Sequence, residues 1–303
     1  MANSFSYAAK YAPELDKMIE QEAKTGFLKD NAMGAMFVGA DTVKLPRATM
    51  IGLGNYNRAT GYPAGDTTLT HDTYTLSQER GRQLFIDAQD ADESGVPDLA
   101  GKLMGEYNRL HVIPEIDAYA LSKIRGVAST NSHAKTYAKA TAVADLLGAI
   151  NDVEAAMGYD SSTSVVSFVD PVMYSILMTS PELERMITIS DFKQGGLNLK
   201  VKSINDCAII PVAANRMKTQ FDFNAGSSSS AGGFTPNASA KQIHAIVMPR
   251  DSASLVEKVN KADLHGLGED INRDGYVINF RLYYDLFVKE SRKNTIFSIE
   301  ETA

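Results

Sequence analysis

The chain has a single cysteine, Cys207, among its 303 residues. An internal disulfide is therefore impossible. The setting of that residue, NDCAIIPVA at residues 205–213, reads as the start of a buried strand, which makes the thiol a small core group and not a nucleophile. Long apolar runs are missing as well. The longest, such as residues 208–214, fall far short of the roughly 20 residues that a bilayer-crossing helix needs. The N-terminus has no basic flank followed by an apolar core, so a soluble chain made inside the cell, without secretory processing, is expected. Clustered basic residues are also absent. With 30 Lys and Arg against 37 Asp and Glu, the formal net charge of −7 argues against a protein whose main task is to neutralise phosphate.

The motif-bearing enzyme classes leave no trace. There is no GxSxG elbow, no GxxxxGKS/T phosphate loop and no GxGxxG fingerprint after a strand, and the serine run at residues 227–230 lacks the strand and turn that would expose a nucleophile. The five histidines, His71, His111, His133, His244 and His265, have no spacing that would put two on one helix face or into a zinc site. Two segments imitate the first half of a calcium loop, DADESG at residues 90–95 and DINRDG at residues 270–275. Their twelfth positions are Gly101 and Arg281, neither of which supplies the closing bidentate carboxylate, so turns or helix caps are the better reading. No catalytic, cofactor-binding or metal-binding residue is assigned.

What is present is an α+β pattern in a chain that is 44% hydrophobic and 22% charged. Residues 7–25 place Leu15, Met18, Ile19 and Ala23 at helical spacing behind Pro13. TVKLP at residues 42–46 alternates as a short strand that Pro46 is expected to end. A Gly-, Asn- and Pro-rich stretch at residues 52–66 then separates it from a threonine-rich strand, TTLTHDTYTLS, at residues 67–77. Two-sided polar strands bury little against their own domain. The pair is either an ordinary surface hairpin with a long loop or an arm that lies on a neighbouring copy.

From Pro97 to Gly126, Leu99, Leu103, Tyr107, Leu110, Ile113, Ile116, Ala120 and Ile124 recur every three or four positions, a helix of ~40 Å that Pro114 should kink or divide. A second helix is expected over residues 134–157. After it come a buried strand at residues 164–170, a short helix capped by Asp170, strands in LKVKSI, CAIIPV, IHAIVM and NTIFSI, and a helix at residues 251–260. Residues 225–239, AGSSSSAGGFTPNAS, are low-complexity and read as a mobile surface loop, with an interdomain linker as the alternative.

Several segments together resemble the Hong Kong 97-type major capsid proteins of tailed bacteriophages, nearest to coat proteins of phages of Gram-positive hosts. They are TVKLP before a glycine-rich hairpin, GNYNRATGY at its tip, ERGRQLFIDAQDADE, VIPEIDAYALSKI and FRLYYDLFVKESRKNTIFSI, in order along the chain. The resemblance implies an N-terminal arm over residues 1–36, an E-loop region over 37–94, a peripheral domain with a long spine helix over 95–163, an axial domain over 164–240, and a return to the peripheral domain over 241–303. It further implies a non-enzymatic subunit without cofactors. Such subunits form pentamers and hexamers that close into an icosahedral shell around double-stranded DNA, assembled in the host cytoplasm without a membrane. A weakly acidic surface is compatible with that content, since a strongly basic inner wall would hold DNA tightly. Because the chain starts almost directly with the arm, a separate scaffolding protein is expected, together with a portal. No lysine occurs between Leu45 and Gly101, which argues against covalent cross-linking through the hairpin. Arg58, Arg80 and Arg82 are expected to meet carboxylates such as Glu115 or Asp117 across subunit boundaries, the alternative being solvated surface charge. An encapsulin-like nanocompartment shell is the alternative within the same fold.

Overall fold

The computed structural model describes residues 22–32, 36–39, 41–93, 99–135, 141–159, 164–180, 187–194, 197–227, 231–266 and 274–302. The helix expected at residues 7–25 lies almost wholly outside them, as does most of the look-alike at residues 270–275, while residues 90–93 of the other fall in a helix. A 3-10 turn at Gly26–Ala32 leads into β1 (Met36–Val38), β2 (Thr42–Met50), β3 (Thr67–Thr75) and β4 (Gln78–Asp87). Helices α1 (Ala88–Glu93), α2 (Leu99–Tyr107) and α3 (Ile113–Val127) follow, with a π-helical segment, Asn108–Val112, between the last two. Next come β5 (Ser132–Lys135), α4 (Ala142–Ala156), β6 (Val165–Val169), α5 (Pro171–Thr179), β7 (Ile187–Gln194), β8 (Leu197–Ile204) and β9 (Cys207–Pro211). The chain finishes with β10 (Phe221–Asn224), β11 (Gly233–Pro236), β12 (Ile243–Pro249), β13 (Ala253–His265), β14 (Gly275–Val288) and β15 (Phe297–Glu301).

Two sheets carry the cores. The larger has seven strands in the order β5-β15-β12-β6-β9-β8-β7. Strands β6 and β12 are buried along their whole length, because both faces of the sheet are covered. On one face, Ala142, Leu146, Ile150 and Val153 of α4 and Met173 and Leu177 of α5 pack on Val165, Val169, Ile209, Ala245 and Val247. On the other, Ile116, Ala120 and Ile124 of α3, with Phe27 and Leu28 of the N-terminal 3-10 turn, meet Val166, Phe168, Ile246 and Met248. The second sheet, β13-β14-β4, shares this latter core through Leu255, Leu282, Tyr284 and Leu286. Helix α3 thus lies where the two sheets meet. Strands on both sides of residue 240 share the seven-stranded sheet, while β13 and β14 join the sheet of β4.

Four expectations need correction. Residues 251–260 are not a helix. The spacing of Ala253, Val256 and Val259 fits a helix, but the segment pairs along its length with β14 from Ala253↔Val288 to His265↔Val277, with one irregularity between Glu257 and Val259. A long, ready partner strand outweighs a weak local preference. Pro46 does not end its strand. Strand β1 pairs with β2 only from Thr42 to Lys44, so at Pro46 one side of β2 is an open edge where a missing N–H is harmless. The helix expected from residue 134 begins at Ala142, because residues 132–135 run parallel to β15. Within residues 225–239, the last part is not loop: Gly233–Pro236 forms β11 against β10. Pro114 disturbs its helix as expected. It falls in the first turn of α3, and the π segment directly before it absorbs the bond that proline cannot donate.

Candidate assembly arm and its anchorage

Strands β2 and β3 pair from Thr42↔Thr75 to Met50↔Thr67, nine residues each, an arm of roughly 30 Å at strand rise. Only its base is buried. Val43 and Leu76 join Val256 and Phe287, and Tyr74 stacks on Phe287 with ring centroids 4.7 Å apart. Outward from there, threonines alternate on β3 and no core forms. The tip is closed by Asn57 and Gly61, which exchange backbone bonds of 3.2 and 2.7 Å, with Ala59 N donating to Asn57 Oδ1 at 2.8 Å. The positive φ of Gly61, 83°, lets the chain reverse there. Apolar side chains crowd this end without cover: Met50 is 74% exposed, Tyr62 88% and Leu53 fully so at 108%. Exposed apolar residues grouped on a projecting, coreless element mark a contact surface.

The root of the arm is held by one buried carboxylate. Ser77, in the two-residue step between β3 and β4, donates its backbone N–H (3.0 Å) and its hydroxyl (2.9 Å) to Asp285 Oδ2. Asp285 Oδ1 accepts from the Tyr119 hydroxyl at 2.7 Å, from its neighbour Leu286 N at 2.6 Å, and from Lys123 Nζ. Burial pushes the Tyr119 phenol above its ordinary range, so it stays a donor. Its oxygen in turn accepts from Lys123 Nζ at 3.1 Å. Tyr119 and Lys123 stand one turn apart on α3, the i,i+4 spacing that stacks side chains on one face. The Lys123 ammonium also lies 5.3 Å from the Tyr119 ring centre and 5.4 Å from that of Phe287. Three elements, the arm root, α3 and β14, therefore meet at Asp285. Leu76 adds backbone anchors, donating to Asp41 O at 2.8 Å and accepting from the Tyr283 hydroxyl at 3.2 Å.

The five residues singled out from sequence separate into two groups. Arg58 is exposed at the hairpin tip and has no hydrogen bond or ion pair among the described residues. Arg82, half-buried on β4, donates from Nη1 to Ser227 O at 3.1 Å. The other three, like Arg82, make their bonds inside the chain. Arg80 meets Glu115 in a two-pronged pair (Nε–Oε1 2.5 Å, Nη2–Oε2 3.3 Å) and also donates to Asn224 O and Gly233 O, tying β4, α3 and the β10–β11 hairpin together. Asp117 is wholly buried and accepts from Lys24 N, from Thr25 N and Oγ1, and from Arg216 Nη1 at 3.0 Å. The sequence expectation set Arg58, Arg80 and Arg82 against Glu115 or Asp117 across subunit boundaries, whereas the Arg80–Glu115 pair lies within one chain; Asp285, Lys123, Thr25 and the Arg125–Glu300 pair, whose two bonds are both 2.8 Å, were missed. The signal for Asp285 was available: a single acid inside the apolar strand YYDLFV.

Among the described residues, no group of three His, Cys, Asp or Glu side chains could hold a metal ion, and no helix is long and apolar enough to cross a membrane. His244 is buried with Nδ1 3.2 Å from Asp170 Oδ2, while Asp170 Oδ1 caps α5 at Met173 N. The His111 ring lies tilted at 39° to that of Tyr107, with centroids 5.1 Å apart. Burial pushes the Cys207 thiol far up, the opposite of what an attacking thiolate needs.

No protein-family model and no curated protein sequence matches the chain. Solved structures do. The Gordonia phage Cozz structure is 13% identical with a TM-score of 0.56, over 88% of this chain and 83% of that one. The mature capsid of bacteriophage PhiM1 is 15% identical with a TM-score of 0.55, over 87% of this chain and 82% of that one. The capsid of cyanophage P-SCSP1u is 13% identical with a TM-score of 0.55, over 88% and 85%. The fold of this chain, helices packed on a mixed seven-stranded sheet and an antiparallel three-stranded one, is that of the Hong Kong 97-type major capsid proteins of tailed phages.

Proposed function

We propose that this chain is a major capsid protein, a structural subunit without catalytic activity. It assembles into pentamers and hexamers that close into an icosahedral shell around double-stranded phage DNA. The observation that carries this reading is the match of 87–88% of the chain to structures of tailed-phage capsid proteins. The arm supports it physically. A hairpin anchored at one end, with Leu53, Tyr62 and Met50 bare at the other, gains stability only by lying on another surface, and identical subunits supply that surface to each other. Many modest contacts repeated around a closed shell add up without one large interface.

Within this reading, residues 1–36 serve as the arm at the N-terminus, 37–94 as the E-loop region, and the remainder as peripheral and axial parts that α3 joins. Arg58 and Arg82 are the cations placed to meet a neighbour's carboxylates, whereas Arg80, Glu115 and Asp117 hold the subunit itself together. A separate scaffolding protein and a portal complete the assembly, which takes place in the host cytoplasm. The test is expression of the full chain alone and with the adjacent scaffold gene, read by size-exclusion chromatography and negative-stain electron microscopy. Shells, tubes or capsomer rings are expected. A compact monomer under both conditions would remove the proposal.

A further inference from the structure

We propose that Asp285 is a positioning residue for assembly: by fixing Ser77 against Tyr119 and Lys123, it sets the angle at which the β2–β3 arm leaves the subunit, and through that angle the curvature of the shell. This inference rests on reading the hairpin as the assembly arm.

The argument is one of leverage. The arm is roughly 30 Å long and is supported only at its base, so a small rotation at residue 77 becomes a displacement of several ångströms at Leu53 and Tyr62. The step between β3 and β4 is two residues, Leu76 and Ser77, and both are pinned through the backbone: Leu76 N to Asp41 O, Leu76 O to the Tyr283 hydroxyl, Ser77 N to Asp285. Of these anchors, Asp285 is the one that couples the step to α3, the helix lying between the two sheets. Its two oxygens accept five donors from four residues, which fills the acceptor capacity of a carboxylate. A buried carboxylate this fully satisfied has one low-energy arrangement, and any loss of a donor leaves a buried polar group without compensation. Strand β4 beyond Ser77 is held against a shift, because it pairs without a break with β14 from Gln78↔Tyr284 to Asp87↔Gly275. Freed at Asp285, the step is left with the Leu76 anchors, one hydroxyl contact of 3.2 Å between Ser77 and Tyr119, and the ring stack of Tyr74, and the arm can swing about them.

The test compares Asp285→Asn with Glu300→Gln. The second breaks the buried pair between Glu300 of β15 and Arg125, two residues beyond Lys123 on α3, a pair that makes no bond to the arm step. Nitroxide labels at Thr60→Cys on the tip and Lys102→Cys on α2 report the arm angle in unassembled subunits, with the native Cys207 buried away from the reagent. The expected result is a broadened tip-to-helix distance distribution for Asp285→Asn but not for Glu300→Gln. In parallel, particles seen by electron microscopy should lose the wild-type diameter with Asp285→Asn and keep it with Glu300→Gln, although both lower the melting temperature. Lys123→Met removes one donor and serves if Asp285→Asn does not fold. An unchanged distance distribution, or equal broadening by Glu300→Gln, would overturn the inference. Absence of particles for the wild-type chain would sink the assembly reading instead, and the label distances would still decide whether Asp285 holds the arm.

Discussion

The seven-stranded sheet and the hairpin arm are built from equally ordinary residues, yet one is sealed on both faces and the other has almost no interior. In β6 and β12, valine, isoleucine and phenylalanine are buried without alternation, because α4 and α5 cover one face and α3 the other. In β3, residues 67–71 are all exposed, and only Asp72 and Tyr74, near the base, are half-buried between threonines. The difference shows where the free energy of each part comes from. The sheet draws on area removed from water on folding, at roughly 25 cal/mol per Å². The arm has its apolar area still in water, and that area is available for association.

This contrast can be broken from the sheet side first. Phe168→Ala removes a fully buried ring that stacks on Phe27 and should cost about 3–5 kcal/mol, read as a lower urea midpoint with an unchanged slope. Asp117→Ala strips a buried carboxylate from Arg216 and from the N–H groups of Lys24 and Thr25. It should cost about 3 kcal/mol by the same measurement, since the half-buried Arg216 and the buried Thr25 N–H lose their acceptor. Leu53→Ser and Tyr62→Ser, at the bare tip, should change subunit stability by no more than about 0.5 kcal/mol while abolishing closed particles. Equal destabilisation by tip and core substitutions would mean that the arm contributes to its own subunit's fold.

A further effect concerns pH. The buried Cys207 thiol keeps its proton in the fold to a pH well above the value of about 8.5 expected in the unfolded chain. Above that lower value the unfolded state sheds a proton that the folded state retains. Stability is thus fully present below about pH 8.5 and declines as pH rises. Urea midpoints between pH 7.5 and 10 should fall, and Cys207→Ala should remove the first part of the decline. The native thiol should also resist aromatic disulfide reagents until the protein unfolds.

Local chemistry was legible where it decides alone. Asp170 before Pro171 caps α5 as the pattern predicts, and the glycine-rich tip between two threonine-bearing strands folds back on itself. It was misleading where spacing fits two periods: Ala253, Val256 and Val259 suit a helix until β14 offers an extended partner. Charges were the least legible. Arg80, Glu115 and Asp117 look on the page like solvated surface residues, but α3 turns the last two inward and the β10–β11 hairpin closes over the first.

What the sequence determined by itself was the inventory: one unpaired thiol, an arm too polar to make its own core, a long apolar-striped helix with a proline in it, and strands enough for two sheets. Only the tertiary structure decided which carboxylates became anchors. A strand's alternation and a helix's periodicity are local and repeat in the sequence, so they can be read from it. The meeting of Ser77, Tyr119, Lys123 and Asp285 joins positions up to 208 residues apart, and that encounter exists only once both sheets have closed on α3.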